Sequence, residues 1–169
     1  MFTVFGFYKF KKIKDLKKLK NLFQSELVKN KVRGTVILSS EGINGTLAGK
    51  KNSIHKIIKL LKKKIKSIKF DSSNFSSSKF QPFHRERVKI KQEVVPLGLK
   101  INTNNKKHSK YLIGKSWNKL ISNKETLVLD VRKPFEFNVG TFKNAINPNI
   151  KHFRDFPKYL KKIKKTKPV

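Results

Sequence analysis

Apolar residues in the first half of the chain switch repeatedly between a two-residue and a 3.6-residue period. Phe, Val and Tyr alternate loosely over residues 2–10, which predicts a strand. Leu16, Leu19, Phe23 and Leu27 recur at helical spacing with lysines between them, which predicts a helix over Asp15–Asn30. The β-branched run Val32–Leu38 predicts a buried strand. Ser39–Gly45 has the Ser, Asn and Gly content of a turn, with Gly42 and Gly45 expected to supply positive φ, and a short strand is expected at Asn44–Ala48. Ile54, Ile57, Ile58, Leu61 and Ile65 then form a helical stripe that starts after Asn52 or Ser53, either of which can cap a helix.

The pattern weakens after that helix. Ile68–Phe70 reads as a short strand, followed by a serine-rich loop to Ser78. Arg87–Val94 alternates cleanly, with Arg87, Lys89, Lys91 and Glu93 on one face and Val88, Ile90, Gln92 and Val94 on the other. The order strand–helix–strand–strand–helix–strand predicts an α+β, ferredoxin-like (βαββαβ) domain over residues 1–95. Pro96–Gly98 and the polar run Asn102–Lys110 read as a linker over 96–112.

Residues 113–169 hold a short helix around Lys115–Ile121 and an apolar strand at Leu127–Leu129. A loop containing Pro134, Gly140 and Pro148 comes next, then a helix from near His152 that turns Phe153, Phe156 and Leu160 inward. Pro157 requires its place to be the first turn of that helix. One strand with two unpaired edges does not make a stable sheet. The segment is therefore expected to be the opening of an α/β domain, with the chain truncated near Lys164–Val169.

Composition adds a partner class. Lys and Arg number 42 against 10 Asp and Glu, a formal charge of +32. AT-rich codons account for the preference for Lys over Arg, but not for the scarcity of acids. A surplus of this size attracts polyanions, nucleic acid first and an anionic membrane surface second. There is no cysteine, which removes disulfides, thiolate metal sites and thiol catalysis from these residues. The first residues lack the basic n-region of a secretory signal, no apolar run spans a membrane, and the expected compartment is the cytoplasm.

Several segments, in collinear order, carry a resemblance. They are Phe7–Lys9, Ser40–Gly45, Phe83–Lys89, Glu93–Gly98, Tyr111 and Leu112 with Trp117 and Asn118, Asp130–Arg132, Val139–Phe142 with Asn144–Ile146, and Phe153 and Arg154 with Phe156 and Pro157. Together they resemble the rhodanese-like tRNA uridine hydroxylases, which oxidise the wobble uridine of tRNA to 5-hydroxyuridine. The resemblance implies a rhodanese-like domain from residue 113 onward, tRNA as partner and molecular oxygen as co-substrate. It also implies a functional cysteine in a loop beyond Val169, so that the chain as given is inactive by itself. No metal or organic cofactor is indicated.

Two kinds of candidate site emerge. Asp130 and Arg132 follow the Leu127 strand, and with Glu136 they either shape an active site or tie their own loop together. Arg85, Arg87, Lys89 and Lys91, with Phe80, Phe83 and His84 nearby, suit RNA; the alternative is a solvated strand face. Glu41 and Asn44 either face a substrate or belong to a hairpin connection. Lys56, Lys59, Lys62, Lys63, Lys64 and Lys66 make the polar face of a basic helix whose apolar stripe is better placed against a sheet than on a membrane. His55, His84, His108 and His152 show no ligand spacing. A rhodanese-type sulfurtransferase and a non-catalytic basic RNA-binding protein remain as alternatives.

Overall fold

A computed structural model describes residues 1–65, 70–98 and 112–163. The chain divides into two compact units, Met1–Val95 and Pro96–Val169.

The first unit contains β1 (Phe2–Phe10), α1 (Leu16–Lys29), β2 (Arg33–Ser39), β3 (Gly42–Gly49), α2 (Lys51–Lys64), β4 (Ser72–Ser78) and β5 (Glu86–Ile90). The five strands form one sheet in the order β4-β1-β3-β2-β5. The first four carry the βαββαβ arrangement, antiparallel throughout, and β5 adds a parallel edge beside β2. Both helices lie on one face. Phe5 and Phe7, Val36 and Leu38, and Ile43 and Leu47 meet Phe23 and Leu27 of α1 and Ile54, Ile57 and Leu61 of α2 in a single buried cluster. Leu38, Ile43, Leu47 and Ile54 are fully excluded from solvent. Burial of this kind contributes about 1.5–3 kcal/mol for each large side chain, before conformational entropy is set against it.

Three local expectations are corrected, and a fourth falls mostly outside the described residues. The serine-rich segment is not a loop: it is β4, paired along β1 with Phe75 opposite Phe5. Ser and Asn have weak strand propensity, so tertiary pairing decides the outcome. The Phe75 ring contributes by sitting 4.8 Å from that of Phe5. Of the expected Ile68–Phe70 strand, Phe70 lies outside any strand and residues 66–69 lie outside the described residues. The alternating segment near residue 90 stops as a strand at Ile90. Helix α2 starts at Lys51, and Lys50 occupies its N-cap without a side-chain bond, in place of Asn52 or Ser53.

Gly42 and Gly45 are both strand residues of β3, and neither has a positive φ. Close approach explains them instead. A Cβ on Gly42 would lie 2.2 Å from the Lys9 carbonyl oxygen. One on Gly45 would lie 2.8 Å from both the Phe7 ring and the Thr35 carbonyl oxygen.

The second unit contains α3 (Gly114–Ile121), α4 (Pro134–Val139), a 3-10 turn (Phe153–Asp155) and α5 (Phe156–Lys162). Leu127–Leu129 is not a strand: one parallel bridge, Leu129 to Ile146, is all the pairing it has among the described residues. Its backbone bonds are Ile146 N–H to the Val128 carbonyl (2.9 Å) and Asp130 N–H to the Ile146 carbonyl (3.0 Å). These residues are half-buried rather than buried. The expected loop at Pro134 begins with a short helix, α4. Pro157 does fall in the first turn of α5, and Phe153 stacks on Phe156, but Leu160 is 38% exposed and does not turn inward. The proposed linker residues 99–111 and the tail 164–169 lie outside the described residues.

Candidate functional site

With both helices on one face, strand alternation places a defined set of side chains on the other. The registers align them in rows. One row runs Tyr8, Asn44, Ile37 and Lys89 across β1, β3, β2 and β5. The next runs Gly6, Thr46, Thr35 and Arg87, and Arg33 stands beside Ala48 in the row beyond. At the usual strand spacing, four strands give a platform about 14 Å across. Thr46 and Lys89 are exposed, and Tyr8, Thr35, Ile37, Asn44 and Arg87 are half-buried. The Tyr8 ring sits edge-on to Phe10, with centroids 6.1 Å apart. No strand position on this face is acidic, while Arg33, Arg87 and Lys89 are basic.

Both ends of the face are closed. The connection from β4 to β5 is tied down at one end, where the Gln81 side-chain amide donates to the Ala48 carbonyl (3.1 Å). Ala48 is fully buried although it lies outside the helix-side cluster. At the other end Val94, 1% exposed, lies against Gly42.

The structure thus brings together three of the residues singled out from sequence, Asn44, Arg87 and Lys89. Arg85 precedes β5 and is exposed; its carbonyl accepts from Gly34 N–H (3.0 Å). Lys91 follows β5, is exposed, and its N–H donates to the Leu38 carbonyl (2.9 Å). Glu41 is engaged by the backbone around its own turn. Its carboxylate accepts the Val94 N–H at 2.7 Å, its own N–H donates to Ser39 Oγ at 3.1 Å, and its carbonyl accepts from Lys11 N–H at 2.8 Å. It locks the β2–β3 turn to the chain after β5. Arg33, Thr35 and Thr46 were not singled out; the signal that points to them is strand parity, carried from β5 across to β2 and β3.

In the second unit, Asp130 and Arg132 form a fork. Arg132 Nη2 donates to Asp130 Oδ2 (2.6 Å), Nε donates to Oδ1 (3.0 Å), and the Arg132 N–H donates to Oδ1 (3.1 Å). Thr141 Oγ1 adds a bond to Oδ2 (2.8 Å), and Arg132 Nη2 also reaches the Gly140 carbonyl (2.6 Å). Asn147 Nδ2 donates to the carbonyls of Asp130 and Arg132, both at 2.9 Å. The Arg132 side chain, helped by Thr141 and the Arg132 N–H, holds the Asp130 carboxyl well below the usual carboxylate range, and Asp130 in turn raises the guanidinium. The Asp130 side chain is 8% exposed and that of Arg132 47%. Glu136 accepts the Lys133 N–H (3.2 Å) at the start of α4 and is no part of the fork. The fork borders a shallow hollow of about 510 Å³ lined with Trp117, Val128, Leu129 and Phe142. Among the described residues the fork's bonds tie its own loop, and Arg132 Nη1 has no partner.

Among the described residues no group of three His, Asp or Glu side chains is placed to hold a metal, and no helix is long and apolar enough to cross a membrane.

Known proteins match both the first unit and the chain as a whole. The profile of the UPF0176 acylphosphatase-like domain matches residues 2–94. A protein of Pelagibacter ubique (strain HTCC1062) named tRNA uridine(34) hydroxylase is 57% identical over 169 residues, covering 100% of this chain and 56% of its own length. A protein of the same name from Wolbachia sp. subsp. Brugia malayi (strain TRS) is 35% identical over 168 residues, 98% of this chain and 61% of its own length. The chain therefore spans 56% and 61% of the lengths of these two relatives. Among solved structures, an acylphosphatase from Coxiella burnetii is a distant likeness, 12% identical with a TM-score of 0.39 over 52% of this chain and 90% of its own.

Proposed function

This chain belongs to the family of the UPF0176 acylphosphatase-like domain, and from that premise we propose that it is the N-terminal part of an oxygen-dependent tRNA hydroxylase that converts the wobble uridine to 5-hydroxyuridine. The observation that carries the reading is 57% identity, along every residue of this chain, to a protein bearing that name. The first unit, with its acid-free basic sheet face, holds tRNA. Residues 113–169 open a rhodanese-like domain in which the Asp130–Arg132 fork fixes the loop bordering the active site. Glu136 steadies α4 beside it.

The chemistry needs a group these residues do not contain. Moving one atom of dioxygen onto uridine C5 leaves the second atom to be reduced with two electrons. A cysteine thiol elsewhere in the polypeptide would meet that requirement by taking the second oxygen atom and becoming a sulfenic acid, which a second thiol then reduces with release of water and formation of a disulfide; this chain has no cysteine. The test is nucleoside mass spectrometry of tRNA from a strain lacking the gene and any redundant route to the same modification. Loss of 5-hydroxyuridine, restored by the full gene and labelled from ¹⁸O₂, is expected. Unchanged 5-hydroxyuridine would remove the reading, and loss of a thiolated base in its place would point to sulfur transfer.

A further inference from the structure

Resting on the tRNA reading above, the geometry points to the helix-free face of the five-stranded sheet as a binding platform for an unpaired RNA segment rather than for a duplex. Three features converge. The first is charge: Arg87 and Lys89 stand in the two central rows and Arg33 in the row beyond, and no strand position on this face is acidic, which favours a polyanion there. The second is surface chemistry. Between the cations lie Ile37, half-buried and apolar, and the hydroxyls of Thr35 and Thr46. An apolar patch about 5 Å from a cation on the next strand accommodates a base plane with its phosphate.

The third is shape. Gln81 at one end and Val94 at the other confine the open part of the face to its two central rows. A short, flat strip of that kind takes a few splayed nucleotides. A duplex stacks its base faces away and offers a protein its phosphates, 2′-hydroxyls and shallow-groove base edges, none of which needs an apolar patch. The lysines of α2, although more numerous, lie on a convex helix surface whose apolar residues are turned inward. They provide attraction without a base-sized surface.

The experiment uses the intact chain, a short oligouridine, a duplex RNA of equal charge, and unmodified tRNA. In methyl-labelled protein, oligouridine is expected to shift the Ile37, Thr35 and Thr46 methyls and leave Ile58 of α2 unmoved. Arg87→Gln with Lys89→Gln is expected to weaken oligouridine binding at least tenfold and to lower the salt slope by about 1.4, two contacts at about 0.7 each. Lys56→Gln with Lys59→Gln, the charge-matched change on α2, is expected to cost less than twofold. If both pairs weaken binding equally, or the shifts fall on α2, the platform is overturned while tRNA binding stands. If tRNA does not bind at all but oligouridine does, the tRNA reading fails and the platform survives. Shifts of the same methyls with protein concentration alone would assign the face to a second copy of the chain and overturn the inference. The methyl mapping needs no variant, so a misfolded variant does not leave the question open.

Discussion

Glu41 separates a structural role from a binding role, and Glu41→Ala tests which it has. In the structure the carboxylate accepts the Val94 N–H at 2.7 Å, and Val94 is 1% exposed. Alanine would leave that donor without a partner and without access to water. A hydrogen bond to a charged group contributes about 1.5–3 kcal/mol, and an orphaned buried donor costs a similar amount. The change should therefore destabilise the first unit by about 2 kcal/mol, which is about a 30-fold drop in protection against hydrogen exchange. The amides to follow are those of Leu38 and Ile43, which lie in β2 and β3 and are fully buried. Trp117, the sole tryptophan, lies in the other unit, so amide exchange is the direct readout for this one. Glu41→Gln keeps an acceptor and should lose roughly half as much. RNA affinity of the folded Glu41→Ala protein should be unchanged or slightly higher, because a negative charge is removed. Unaltered protection together with weakened RNA binding would refute the structural assignment.

Other consequences are equally direct. Gly45→Ala places a Cβ 2.8 Å from a backbone oxygen in the middle of the sheet; a loss of about 1–3 kcal/mol is expected from the urea midpoint of the sheet's circular dichroism. The Asp130 carboxyl is depressed in the folded state by Arg132, so its stabilising effect is fully present above about pH 4, the unfolded value, and is lost as pH falls below that. Carbon NMR should show Asp130 still ionised at pH 3, and a midpoint near 4 would contradict the fork. Arg132→Lys replaces a planar fork by a point charge and gives up the bond to the Gly140 carbonyl. Since Trp117 packs edge-on to Phe142 at 5.1 Å, its emission should shift to the red.

The helix stripes and the β2–β3 pair were legible because burial imposes a period on them: Ile54, Ile57, Leu61 and Ile65 are the residues that pack. Strand β4 was not, because a serine-rich edge strand carries no period and exists through pairing with β1. Leu127–Leu129 looked like a buried strand by composition, but pairing depends on partners that its own residues do not specify. The sheet-face site was half legible. Lys89 and Arg87 follow from alternation, whereas Asn44 sits where the turn motif and the expected Asn44–Ala48 strand overlap, and its place in β3, two strands from Lys89, comes only from the sheet. Its neighbours Thr35 and Thr46 come together only through register, which no single segment encodes. Glu41 shows the converse: a residue conspicuous in a turn motif is occupied by the backbone of a segment 53 positions away.

Whether the sheet face holds tRNA for the proposed wobble-uridine hydroxylation is read out by 5-hydroxyuridine in tRNA from a deletion strain carrying the full gene with Arg87→Glu and Lys89→Glu. The wild-type gene and a matched Lys56→Glu, Lys59→Glu gene are expected to restore the modification, and the sheet-face variant, at equal protein level, is expected not to. Full restoration by the sheet-face variant would show that this face does not hold the substrate.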